Sequence, residues 1–214
     1  QDSQLDANEA DKAISYGKNN LLTGVIIGLK DLVNVKDKIT SAGSKILNNN
    51  IAKSNSKITD DFRKQNSVII GKTNLVEFAF GTLGINSNTP TCRNPWDTNR
   101  VPGGSSSGSA VAVSAGMCSV AIGTDTGGSV RMPASLCGIT GFKPSYGVVS
   151  RRGVLDLSWS MDHVGPMARS AKDCQEVMKV ISGFDINDKY SYKADDNLFK
   201  KNRFIREKIR IAVP

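Results

Sequence analysis

Residues Ser119 to Arg131 read SVAIGTDTGGSVR. The opening run, Ser119–Gly123, is apolar, of strand length and free of alternation, the pattern of a strand buried on both faces. Asp125 and the pair Gly127–Gly128 then turn the chain ahead of Ser129. Successive backbone N–H groups of such a turn can converge on one point and hold an anion or a developing oxyanion. The same residues also read as an ordinary sharp turn in which Asp125 makes a local side-chain bond to the backbone. They form neither a G-x-S-x-G elbow nor a P-loop, since no lysine follows the glycines.

On the N-terminal side lies PGGSSSGS, Pro102–Ser109, followed at once by small residues of helical length. It reads either as a flexible linker or as a glycine-serine turn feeding the helix Ser105–Ala115, whose N-terminus could hold negative charge. Further back, GVIIGL at Gly24–Leu29 reads as a buried strand that delivers Lys30 and Asp31 at its end. A lysine there is ordinarily a surface residue. Helices are expected at Asn8–Lys18, Ile58–Gln65 and Ser170–Ser182, the last stopped by Gly183, with Asn34–Ser56 polar and irregular. Strands are expected at Ser67–Gly71, Ile139–Phe142 and Lys208–Val213, and Gly81–Val101 reads as loop. Asn74, with Glu77 three residues on, has the capping-box pattern for a helix over LVEFAF. Strands alternate with helices, which predicts an α/β fold: a mixed, largely parallel central sheet flanked by helices.

The 214 residues carry 28 Lys and Arg against 20 Asp and Glu, a formal charge of +8 that admits a nucleic-acid partner. The basic residues are scattered except at Phe199–Arg210, FKKNRFIREKIR, which reads as a solvated face. No aromatic and basic interleaving of an RNA-reading module occurs. Ser109–Ile122 is too short and too rich in Ala, Ser and Gly to span a membrane. The acidic opening QDSQLDANEADK lacks a secretory n-region, and the absence of an initial Met fits a processed start. Cys92, Cys118, Cys137 and Cys174 form no CxxC, so zinc and a disulfide framework are not expected, and they read as small buried hydrophobes in a reducing compartment. The cytoplasm is expected, or an organelle matrix if the start is processed. A single histidine, His163, excludes a histidine-rich metal site within the chain, so no metal or other cofactor is expected.

Taken together, GLKD at Gly28–Asp31, PGGSSSGSA at Pro102–Ala110 and GTDTGGSVRMPASLCGITGFKPSYG at Gly123–Gly147 closely resemble the amidase signature family. Order and spacing agree, with 75 residues from Lys30 to Ser105 and 24 from Ser105 to Ser129. So do GKTNLVEFAFG at Gly71–Gly81, NPWD at Asn94–Asp97 and LSWSMDHVGPMARS at Leu157–Ser170. The resemblance implies a Ser–Ser–Lys triad: Ser129 as nucleophile, Ser105 as the bridging serine after a cis Gly104–Ser105 peptide, and Lys30 as base. The N–H groups of Thr126, Gly127, Gly128 and Ser129 would form the oxyanion hole, and Asp125 and Arg131 would brace the turn without entering the chemistry. His163 is expected to be structural, with Asp162 or the backbone as its partner.

The reaction so implied is hydrolysis of a small amide through an acyl-enzyme. The phrase LSWSMDHVGP is more like stand-alone amidases. The alternative is the glutaminase subunit of a tRNA-dependent amidotransferase, which usually has Gln at the place of His163 and works with tRNA and other subunits. The basic charge leans towards that alternative. Members of the family are longer than this chain, so residues 1–214 are expected to be the N-terminal portion of one domain, with its catalytic core at about 24–188. A homodimer or a second chain could complete the fold, and a non-catalytic fragment or binding subunit is the third reading.

Overall fold

The computed structural model describes residues 2–193. The expected strand Lys208–Val213 lies outside them. Five strands form one sheet in the order β2-β1-β3-β5-β4: β1 is Ile26–Lys30, β2 Val68–Thr73, β3 Val120–Asp125, β4 Thr140–Gly141 and β5 His163–Ala168. β1 runs parallel to β2 and β3, whereas β5 is antiparallel to both β3 and β4. Four of the five described strands therefore point one way. The sheet is mixed and largely parallel, as the alternation of strands and helices implied.

Side-chain alternation sorts the two faces. Ile27 and Leu29 of β1, with Val120 and Ile122 of β3, enter the main core. They meet Ile58 and Phe62 of α2 (Lys57–Lys64) and Val177, Met178 and Ile181 of α5 (Ala171–Ile181). Both helices open on serine caps: the hydroxyl of Ser56 accepts from Thr59 N–H, and that of Ser170 from Asp173 N–H. On the other face Ala121 packs with Val113 of α3 (Ser107–Ser114), and Met167 packs with Ala110 of α3 and Ala134 of α4 (Arg131–Leu136). α1, Asp2–Ser15, starts six residues before the expected helix and holds the edge of β2 through Asp6, whose carboxylate accepts from Ile69 N–H at 3.2 Å.

Three segments depart from the expectations. The capping box at Asn74 opens no α-helix. Glu77–Ala79 is a single 3-10 turn with Phe78 at φ 49° and Ala79 at φ 61°. The groups that capping needed are engaged elsewhere. Asn74 Oδ1 accepts from Leu75 N–H and from Thr89 Oγ1, and its amide donates to the Pro90 carbonyl. The backbone is engaged too: Asn74 O accepts from Gly108 N–H, and Val76 N–H donates to Ser105 O. This segment is thus a strap across the start of α3.

β5 is absent from the expected strands, because Gly165 and Pro166 interrupt its apolar pattern. Pro166 still serves the sheet as an acceptor, taking Phe142 N–H at 3.0 Å. A Cβ at Gly165 would stand 2.1 Å from the Phe142 carbonyl oxygen, so the close approach of that chain requires glycine. α4 is likewise absent from the expected helices. Its Pro133 lies in the first turn, where the backbone N–H has no intrahelical partner to lose.

Candidate active site

The topology brings the ends of β1 and β3 and the start of α3 to one corner. Lys30, the last residue of β1, is fully buried there. Its Nζ donates to Ser105 Oγ at 2.8 Å and to Thr124 Oγ1 at 2.8 Å. No carboxylate pairs with it among the described residues. Burial pushes the ammonium down to about 7, against the opposing pull of the Asp162 and Asp125 charges. Ser105 is equally buried and follows a cis peptide bond, Gly104–Ser105. β3 makes room for the start of α3 because Gly123 has no side chain: a Cβ there would stand 2.8 Å from Ser106 Oγ.

Ser129 is buried at the far side of the turn after β3. Its carbonyl accepts from Ser106 N–H at 3.3 Å, which fixes the turn against α3. Among the described residues no hydrogen bond joins the Ser129 hydroxyl to Ser105 or Lys30. The Lys30–Ser105 contact is therefore formed, and the Ser129–Ser105 contact is not.

Asp125 organises the turn. Its carboxylate accepts from Gly128 N–H at 2.8 Å and Val130 N–H at 3.1 Å, and from Arg131 Nε and Nη2 at 3.0 Å each. Burial alone would raise the Asp125 carboxyl. The Arg131 guanidinium and the backbone donors outweigh it and hold the group below the usual carboxylate value. The Gly128 N–H, one of the four expected oxyanion donors, is thus engaged by Asp125. Among the described residues the N–H groups of Thr126, Gly127 and Ser129 have no acceptor.

His163 lies beside the turn, with Nδ1 3.2 Å from the Asp125 carbonyl oxygen and its ring edge-on to Tyr146 at 5.6 Å. Its partner is the backbone, and Asp162 is engaged elsewhere. Two residues at this corner escape a reading of the sequence. Thr124 holds Lys30, and Asp162 accepts from Thr126 Oγ1 at 2.5 Å. Both stand inside quoted phrases, but nothing in a linear pattern says which hydroxyl or carboxylate turns inward. Cys118, Cys137 and Cys174 are buried and free, while Cys92 is only half-buried. Among the described residues no group of three His, Cys, Asp or Glu could hold a metal ion, and no helix is long and apolar enough to cross a membrane.

The chain is 47% identical over 185 residues to the A-subunit of glutamyl-tRNA(Gln) amidotransferase from Dehalococcoides mccartyi, a match covering 86% of this chain and 38% of that protein. It is 46% identical over 198 residues to the protein of the same name from a Marinomonas species, covering 92% of this chain and 41% of that protein. The chain thus spans about two fifths of the length of these relatives. Among solved structures, the glutamyl-tRNA(Gln) amidotransferase A-subunit from Thermotoga maritima superposes with a TM-score of 0.77 at 44% identity, over 80% of this chain and 38% of that one. The peptide amidase of Stenotrophomonas maltophilia gives 0.82 at 39% identity, over 87% of this chain and 39% of that one. The model of the Amidase family matches residues 1–214, and the chain belongs to that family.

Proposed function

We propose that this chain carries the reacting centre of an enzyme that hydrolyses carboxylic amide C–N bonds through an acyl-enzyme on Ser129. The observation that carries the reading is the 2.8 Å contact between Lys30 Nζ and Ser105 Oγ in a fully buried corner. A serine hydroxyl needs a positioned base. Lysine supplies one when burial favours its neutral form, and its value of about 7 leaves much of it neutral at physiological pH. Ser129 then passes its proton to Ser105 as Ser105 passes its own to Lys30, and Ser129 Oγ attacks the amide carbon. The free N–H groups of Thr126, Gly127 and Ser129 receive the oxyanion, and losing one such donor costs about 10²–10³ in rate. Collapse of the tetrahedral intermediate returns the proton to the leaving amine, and water hydrolyses the ester. Asp125, held by Arg131, keeps the turn in shape.

The substrate is a small amide, and no cofactor is needed. The chain forms the N-terminal part of a longer amidase domain, a reading supported by its covering two fifths of its relatives. A narrower reading, the ammonia-supplying A-subunit of a tRNA-dependent amidotransferase, is favoured by the names of the relatives at 44–47% identity. It leans against the order suggested by LSWSMDHVGP, and it would add tRNA and further subunits as partners.

A fluorophosphonate probe tests the chemistry. One adduct is expected, on the peptide carrying Ser129, and none in Ser129→Ala. Labelling that persists in that variant, or none at all in folded protein, overturns the assignment and leaves the non-catalytic reading.

A further inference from the structure

The proposed chemistry uses Lys30, two serines and the turn, yet a second buried acid meets that turn with no assigned task. Asp162, 6% exposed, has no ion-pair partner among the described residues. One carboxylate oxygen accepts from Thr126 Oγ1 at 2.5 Å, and the other from the N–H groups of Leu157 and Ser158 at 2.7 and 2.9 Å. It therefore joins the first residue of the oxyanion turn to the loop that enters β5. Asp162 N–H also donates to Ser158 O, which closes that loop on itself. Asp125 holds the turn from inside, through Gly128, Val130 and Arg131, and does not restrain Thr126. Burying a carboxylate costs free energy unless its hydrogen bonds are satisfied, and here each bond fixes a backbone position next to the reacting centre.

We infer that Asp162 is a positioning residue: it orients the Thr126 N–H towards the oxyanion through the Thr126 hydroxyl. This rests on the function proposed above. The ionised groups acting on Lys30 are Asp162 and Asp125, and both favour its protonated form. Asp125 is matched by Arg131, whereas Asp162 has no cationic partner of its own among the described residues. His163, the other titratable neighbour of the turn, reaches only the Asp125 carbonyl, and Asp31 on the far side of Lys30 is paired with Lys72.

Two variants separate tether from charge. Asp162→Asn can keep all three contacts, because the Thr126 hydroxyl can accept from an amide as well as donate. It removes only the charge. Plateau kcat is expected to stay within a few-fold of native, because the tether to Thr126 survives. Thr126→Val removes the tether and leaves the charge. Plateau kcat is expected to fall about tenfold or more, with KM little changed and the limb in its native place. Rates are normalised to the fraction of Ser129 titrated by fluorophosphonate, so partial misfolding lowers the titre and not the normalised kcat. A native normalised kcat in Thr126→Val, or a loss in Asp162→Asn as large as in Thr126→Val, overturns the inference while the labelling keeps the Ser129 assignment intact. Loss of labelling from the native protein is the separate failure of the underlying reading.

Discussion

Lys30 is the residue on which the chemistry turns. A lysine at a strand end is ordinarily exposed and charged, and here burial lowers its value from 10.5 to about 7. The sign is unambiguous. Protonation removes the base, so kcat/KM is expected to fall as pH drops through about 7, and the alkaline side should stay flat until other groups titrate. Lys30→Arg should be inactive at every accessible pH, because a guanidinium does not lose its proton. The rival base is His163, the one histidine of the chain. Its ring meets only a backbone carbonyl and Tyr146, so His163→Gln is expected to keep both the limb and most of the rate. A folded His163→Gln without activity, beside an active Lys30→Ala, would reverse the assignment. The place of Lys30 at a strand end was legible in the apolar run that precedes it. Its hold on Thr124 was not, because that contact joins residues 94 positions apart.

Among the elements, α3 decides whether Ser105 meets Lys30. The helix begins two residues after Ser105 and lies hard against the strap, with Gly108 N–H donating to Asn74 O at 2.9 Å. A Cβ on Gly108 would stand 2.4 Å from the Asn74 nitrogen and 2.7 Å from its carbonyl oxygen, both backbone atoms that cannot swing aside. Gly108→Ala is expected to destabilise the protein by about 1–3 kcal/mol and to cut amidase activity further, since α3 must retreat and carry Ser105 with it. Thermal unfolding alongside a rate assay checks this. Gly71→Ala is the control: it has open space at its Cβ and should leave the melting temperature almost unchanged. The expected helix at LVEFAF fails for the same reason that Gly108 matters. Local capping competes with tertiary hydrogen bonds, and at Asn74 the tertiary partners win.

At the scale of the whole molecule, the two readings of the proposed function differ in the amide they would cleave. The corner where β1, β3 and α3 meet brings Lys30 and Ser105 into contact. The roomy concavity lined by Asp31, Lys38, Ile70 and Lys72 lies at the β2 edge and includes none of Lys30, Ser105 and Ser129. Under the amidotransferase reading proposed above, glutamine would be preferred and ammonia release quickened by a mischarged tRNA and a partner protein. A coupled ammonia assay with and without those additions decides it. Equal turnover of simple primary amides by the protein alone would restore the stand-alone amidase to first place.

The apolar runs at Gly24–Leu29, Ser67–Gly71 and Ser119–Gly123 identify their strands from sequence alone; the run in β3 is buried on both faces, whereas β2 lies at the sheet edge with Ile70 exposed. The spacing of three glycine, serine and lysine phrases likewise identifies the family. β5 and α4 were hidden, since Pro166 and Pro133 are tolerated only by virtue of where neighbouring chains donate and where a helix begins. The free N–H groups of the turn, the engagement of Gly128 by Asp125 and the tie between Asp162 and Thr126 came from the tertiary structure. Each depends on the direction of a hydrogen bond between segments that only the folded sheet brings together, and residue types in a line carry no such direction.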